Sequence, residues 1–269
     1  MAWQGRRARW RLHSVWLLSA LLLVVGVGQH SFAQPNQPKP GNSGVQVIVL
    51  DPGHGGSDDG ARGPTGLLEK HVTLQVAQEA MRLIEQYLRL RAVLTRTDDS
   101  AVPLEMRASL ANQAGGDLFI SIHASGSFSQ EPRGFQTFYL DAPQEAPLPL
   151  RDDPRARGEP PRRGQAQRGT APPLRSIVWE QAQVEFLDMS QVLARSLQKN
   201  LRAQLGDEER EAQGLPLLML RWIRMPAALV DLGSLSDPAF EGKLRDEAYV
   251  QRAALGIAQA VNDYQDLYR

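Results

Sequence analysis

Five histidines occur in this chain, and His13 and His30 fall in an N-terminal stretch that reads as an export signal, leaving His54, His71 and His123. His54 follows the apolar run Val45-Gln46-Val47-Ile48-Val49-Leu50, inside Asp51-Pro52-Gly53-His54-Gly55-Gly56. His123 closes a second run, Leu118-Phe119-Ile120-Ser121-Ile122-His123. Functional groups of α/β sheets gather beyond the carboxyl ends of the strands, so these two imidazoles are placed to face one crevice. Glu69 lies 15 residues after His54, where the glycine-rich loop gives way to a long helix, and its carboxylate could swing back over the sheet edge. Two imidazoles and a carboxylate with a fourth position open make a catalytic Zn²⁺ set. The competing readings are structural: satisfied histidines, and a first-turn acid complementing the helix dipole. His71, two residues past Glu69, points about 200° around the helix and is expected to be exposed.

The elements that must position these groups are visible in the spacing. Residues 45–50 predict a buried strand stopped by Asp51-Pro52-Gly53, and Ala92–Thr95, Leu118–His123 and Gly134–Leu140 predict three more. Leu217–Leu220 and Ala227–Val230 predict two further short ones. Leu74, Ala77, Met81, Ile84 and Leu88 recur at helical steps within a helix expected from about Glu69 to Leu90. Residues 103–114 read as a helix with Pro103 in its first turn and Gly115-Gly116 ending it. Leu187 to Leu205 and Asp246 to Tyr264 carry the last two helical patterns. Strands alternating with helices predict a single α/β domain over 45–269: a largely parallel, twisted sheet of about six strands with helices on both faces.

The chain has 269 residues, 42% hydrophobic and 22% charged, which is a globular composition. With no cysteine, a disulfide framework, thiolate metal ligands and a Cys nucleophile are excluded. The overall charge is zero, yet no acid precedes Asp51, while Arg6, Arg7, Arg9 and Arg11 crowd the start. An apolar stretch from Val15 to Gly28 and small residues before Gln34 complete the pattern of a signal peptide over residues 1–33. The stretch is shorter than the roughly 20 residues a spanning helix needs, though an uncleaved anchor is the competing reading. Cleavage would remove four arginines and no acid, leaving a net charge of −4, which argues against nucleic acid as a partner. Residues 34–44 read as a Pro-rich linker, and 141–175, with eight Pro and seven Arg, as an insertion unable to form a core.

Three stretches carry a resemblance: VIVLDPGHGGSDDGARGPTGLLEKHVTL; PLEMRASLAN followed by DLFISIHAS; and MPAALVDLGSLSD. Over roughly 45–266 the chain resembles the zinc-dependent N-acetylmuramoyl-L-alanine amidases, which cut peptidoglycan stem peptides from the glycan. The resemblance implies zinc ligation by His54, Glu69 and His123, the same three residues singled out above. It also implies a periplasmic or envelope location, peptidoglycan as the polymer bound, and hydrolysis of the bond between N-acetylmuramic acid and L-alanine. At the end of the last strand the family usually has a Glu as general base; this chain has Asp231. Aspartate is shorter by one methylene, on the order of 1.5 Å. Asp231 is therefore expected to act as the base from a shifted position, the alternative being a weakened or inactive relative that binds the wall. A peptidase cutting within the stem is a third reading. Ser125 replaces the Asn common after His-Ala, and Arg107 matches a recurrent Arg read as tying helix to sheet edge. The segment Leu174–Leu193 resembles one that, in division-associated relatives, covers the zinc until an activator protein displaces it; Glu180 or Glu185 could serve so here, against an ordinary amphipathic helix.

Overall fold

A computed structural model describes residues 44–125, 134–141, 186–206 and 210–268. The expected signal peptide, nearly all of the linker, the insertion beyond Asp141, and Glu180 and Glu185 lie outside the described residues. Among the described residues, no helix is long and apolar enough to cross a membrane.

The strands are β1 (Val47–Pro52), β2 (Arg91–Leu94), β3 (Leu118–His123), β4 (Gln136–Leu140), β5 (Gln213–Leu215) and β6 (Ala227–Asp231). They form one sheet in the order β2-β1-β3-β6-β4-β5. The pairs β1–β2, β1–β3, β3–β6 and β4–β5 are parallel, and only β4 runs antiparallel to its neighbour β6. The expected class, a largely parallel six-stranded α/β sheet, is therefore what the chain forms. The helices are α1 (Glu69–Leu83), α2 (Leu104–Gln113), α3 (Leu187–Leu205), α4 (Pro238–Arg245) and α5 (Glu247–Leu267).

Both faces of the sheet are covered because β1, β3 and β6 are apolar on both sides, with every residue of β3 and β6 buried. Ile48, Leu50, Ile120, Ile122, Ala228 and Val230 pack in the larger core, with Leu193, Leu197 and Leu201 of α3 and Ala253, Ile257 and Val261 of α5. Val49, Phe119, Phe138 and Leu229 form the smaller core, under Ala108 and Ala111 of α2. Trp222, partly buried, packs against that smaller core.

Four expectations need correction. β1 runs through Asp51 and Pro52, which pair with Ser121 and Ile122, because the turn signal acts later, at Gly53. Leu218–Leu220 is a 3-10 turn and not a strand; the edge strand is Gln213–Leu215, stopped by Pro216, which has no N–H to give a ladder. A short apolar run such as 217–220 does not by periodicity separate strand from helix. The long helix ends its α-helical part at Leu83 and passes through a π turn, Ile84–Leu88, to Arg89 in the left-handed region. Its buried face is led by Val72, Val76, Ala77 and Ala80, with Leu74, Met81 and Leu88 on the flank. Finally, α4 is an addition to the expected helices: Asp237 caps it by accepting from the Ala239 N–H at 2.8 Å with Pro238 in the first turn, and Asp246 caps α5 in the same way.

Candidate metal centre

Three parallel neighbours, β1, β3 and β6, end side by side, and the carboxyl end of each leads to a candidate site residue. After β1 the chain turns sharply. His54 adopts φ +60°, a left-handed conformation that costs a residue with a Cβ roughly 1–2 kcal/mol. The turn is held from behind by buried donors. Arg107 of α2 donates from Nη1 to Asp51 Oδ1 (2.8 Å) and the Pro52 carbonyl, and from Nη2 to the His54 carbonyl (2.6 Å). Arg96, just past β2, donates from Nη2 to the Gly53 and Lys70 carbonyls, both at 2.8 Å. Asp51 also accepts from Thr95 Oγ1 and Ser121 Oγ. Arg107 thus ties helix to sheet edge, as the resemblance implies. Sequence reasoning misses Arg96, because a charge flanked by Thr95 and Thr97 reads as surface, and misses Thr73 and Asp51, because their partners lie 20 or more residues away.

Glu69 opens α1 and is fully buried. The loop before it folds back, the Glu69 N–H donating to the Ala61 carbonyl at 2.9 Å, so that the carboxylate returns to the turn carrying His54. Each oxygen takes one backbone N–H: Ala124 donates to Oε1 (2.9 Å) and Ala61 to Oε2 (2.8 Å). Each oxygen also faces one imidazole, His123 Nδ1 lying 3.0 Å from Oε1 and His54 Nε2 3.1 Å from Oε2. The two rings stand edge to face with centroids 5.1 Å apart. The other ring nitrogen of His54, Nδ1, donates to Asp58 Oδ2 at 2.9 Å.

Electrostatics follow the contacts. Burial alone would raise the Glu69 carboxyl, but hydrogen bonds from His123 and His54, the charge of His123 and the Ala124 N–H outweigh it and hold the group well below the usual range. The hydrogen bond to Glu69 raises His54 above its ordinary value against the opposing effect of burial, with Asp58 adding to the rise. Two glycines leave the space. A Cβ on Gly53 would lie 2.6–2.9 Å from the His123 ring, and one on Gly60 2.6 Å from both Glu69 Oε2 and His54 Cδ2.

The donor atoms of His54, Glu69 and His123 all lie within 4.8 Å of one another. A buried, ionised carboxylate between two imidazoles, with a second carboxylate orienting one ring, is a donor set that suits a divalent zinc-type ion. Asp231, at the end of β6, is level with His123 in the ladder and 3% exposed. Paired residues of parallel strands lean to the same face, so Asp231 is the next side chain along from His123, strands lying about 4.8 Å apart. One of its oxygens, Oδ1, accepts from the Gly233 N–H at 3.1 Å. His71 is exposed, with Nε2 3.9 Å from Asp99, and stands apart from the cluster as expected.

The loop between His54 and Glu69 is anchored on two sides. Lys70 Nζ donates to the Gly56 carbonyl (2.7 Å) and pairs with Asp59 and Asp99. Glu241 of α4, which follows the Asp231 segment, accepts from the Thr65 and Leu67 N–H groups and from Thr65 Oγ1. Burial opposes its ionisation, but these bonds together with Arg245 bring the Glu241 carboxyl down to about 2.

Residues 48–263 match the family model described as N-acetylmuramoyl-L-alanine amidase. The chain is 33% identical over 256 residues to N-acetylmuramoyl-L-alanine amidase AmiC of Neisseria meningitidis, covering 89% of this chain and 58% of that one. It is 29% identical over 234 residues to N-acetylmuramoyl-L-alanine amidase AmiA of Escherichia coli, covering 86% and 80%. It thus spans little more than half of the Neisseria relative. Among solved structures, an N-acetylmuramoyl-L-alanine amidase from Clostridium difficile superposes with a TM-score of 0.61 at 26% identity, over 83% of this chain and 98% of that one.

Proposed function

The chain belongs to the N-acetylmuramoyl-L-alanine amidase family, and on that premise we propose that it is an exported, zinc-dependent hydrolase cleaving the amide between N-acetylmuramic acid and L-alanine in peptidoglycan. The observation that carries the reading is the convergence of His54 Nε2, the Glu69 carboxylate and His123 Nδ1 on one spot at the carboxyl edge of the sheet.

These three residues would hold the ion. Zinc bound there supplies a Lewis acid for the scissile carbonyl and lowers the pKa of a coordinated water toward neutrality. The protein's own groups do the rest. Asp58 fixes the tautomer and orientation of His54 by accepting its Nδ1–H. Glu69, tied by two backbone N–H groups, keeps the two rings apart and its own charge in place. Asp231 takes a proton from the attacking water at its carboxylate and passes it to the departing amine nitrogen of L-alanine. Its Gly233 hydrogen bond keeps that carboxylate at the strand end, beside His123, which favours a working base over a vestigial one. The natural location is the periplasm or cell envelope, where the polymer is found, and an activator protein is a fitting partner for a wall-cutting enzyme that must be restrained.

The test is digestion of purified sacculi by the protein with zinc and with chelator, followed by mass analysis of the soluble products. Free stem peptides beginning at L-alanine, lost on chelation, are expected. Products cut within the stem would make the protein a peptidase, and absence of any release with zinc would overturn the reading.

A further inference from the structure

We propose that Arg96 and Arg107 are positioning residues for the metal site, gripping three successive carbonyls from the last residue of β1 onward so that His54 is locked in the left-handed turn that aims its ring at Glu69. The proposal rests on the reading of this cluster as a metal centre.

Both guanidinium groups are buried, Arg96 3% and Arg107 5% exposed, in a region where a cation is costly unless its donors are satisfied. Their donors converge on consecutive peptides. The Pro52 carbonyl accepts from Arg96 Nε (3.0 Å) and from Arg107 Nη1; the Gly53 carbonyl from Arg96 Nη2 (2.8 Å) and Thr73 Oγ1 (2.9 Å); the His54 carbonyl from Arg107 Nη2 (2.6 Å). Three carbonyls drawn toward the same buried side leave the chain unable to continue the extended path of β1. That is where the φ of +60° falls, on a residue with no glycine's freedom. Arg96 Nη2 also reaches the Lys70 carbonyl and Thr73 Oγ1, in the first turns of the helix that Glu69 opens. One side chain therefore bridges the residues adjoining both ligands, Gly53 before His54 and Lys70 after Glu69, fixing the turn of His54 against the helix start of Glu69. Asp51 is the carboxylate beneath, 2.8 Å from Arg107 Nη1 and held in turn by Thr95 and Ser121. A planar fork is what lets each arginine reach carbonyls set apart from one another through separate nitrogens; the three donors of lysine all radiate from one nitrogen and do not span them.

The test measures zinc affinity by chelator competition and the visible spectrum of the Co²⁺-substituted protein, for the full chain and for Arg107→Lys, Thr73→Val and Thr73→Ser. Arg107→Lys is expected to weaken zinc about 10–100-fold and to alter the Co²⁺ bands while circular dichroism remains native. Thr73→Val, which removes one bond to the Gly53 carbonyl, should weaken zinc roughly 2–10-fold, and Thr73→Ser, which keeps the hydroxyl, should restore wild-type affinity. A packing role alone would lower thermal stability and leave the affinity and spectrum of the folded protein unchanged; that result overturns the proposal. If Arg107→Lys does not fold, the Thr73 pair decides on the same criterion. If the wild-type protein binds no zinc, and His54→Ala changes nothing, the metal centre itself falls and the proposal with it; wild-type binding with unaffected variants removes the positioning role only.

Discussion

Glu69→Gln is the sharpest perturbation of this site, because the substitution keeps volume and removes one acceptor. In the wild type each carboxylate oxygen accepts one backbone N–H, Ala124 on Oε1 and Ala61 on Oε2. The amide of Gln has one oxygen and one NH₂, so whichever way it lies, one of these buried N–H groups faces another donor. An orphaned buried donor costs about 1–3 kcal/mol, and a charge-assisted hydrogen bond lost with it about 1.5–3 kcal/mol. Some relaxation is expected, since the neutral side chain no longer needs two imidazoles around it, and a net loss of ~3 kcal/mol is a fair magnitude. For a domain of this size that lowers Tm by roughly 6–12 °C in the metal-free protein. The assay is calorimetry of wild type and variant, each with chelator and then with zinc. Zinc at a hundredfold excess over its Kd should stabilise the wild type by about 2.7 kcal/mol and leave the variant where it was. Equal metal-free Tm values, together with the same zinc-induced rise in both proteins, would refute the view that Glu69 is the shared anchor of the two rings.

Three other outcomes follow from the same geometry. Asp231→Asn keeps the shape at the end of β6 but cannot accept a proton, so kcat for stem-peptide release should fall about 10²–10⁴-fold with zinc content unchanged; activity within a few-fold of wild type would remove Asp231 as the base. Glu241 has a folded-state pKa of about 2, below its ordinary 4.5, so its contribution to stability is complete above pH 4.5 and is lost as pH falls toward 2. Urea midpoints measured between pH 6 and 2 should accordingly drop less steeply for Glu241→Gln than for the wild type, and parallel curves would contradict the contacts to Thr65 and Leu67. Gly53→Ala places a methyl 2.6–2.9 Å from the His123 ring and should reduce bound zinc, whereas Gly242→Ala, which meets nothing within 4 Å inside α4, should stabilise by about 0.5–1 kcal/mol. Zinc analysis and thermal melts of the two variants separate these opposite signs.

Much of the site is legible in the order of residues alone. Strands announce themselves as apolar β-branched runs, and the residue that follows such a run must sit at the sheet edge; hence His54 and His123 fall in one crevice. Glu69 falls at a helix start because a glycine-rich stretch ends there, and α3 and α5 show their buried faces through Leu193, Leu197, Ile257 and Val261. All of these signals are local, carried by residues within one or two turns of each other.

What tertiary structure alone decided depends on partners far apart in the chain. The antiparallel course of β4, the edge strand at Gln213–Leu215 and the 3-10 turn at Leu218–Leu220 are set by which neighbour supplies hydrogen bonds, and apolar content is the same in every alternative. Arg96 reads as an ordinary surface charge, and Arg107 stands out only through the family resemblance. Their acceptors, the Pro52, Gly53 and His54 carbonyls, lie 43–55 residues away. Only folding brings those carbonyls to them, and only then is a buried cation tolerated. The same holds for Glu241, whose partners Thr65 and Leu67 precede it by 176 and 174 residues. Residue types choose the chemistry of the site; the long-range hydrogen bonds beneath it choose where each group points.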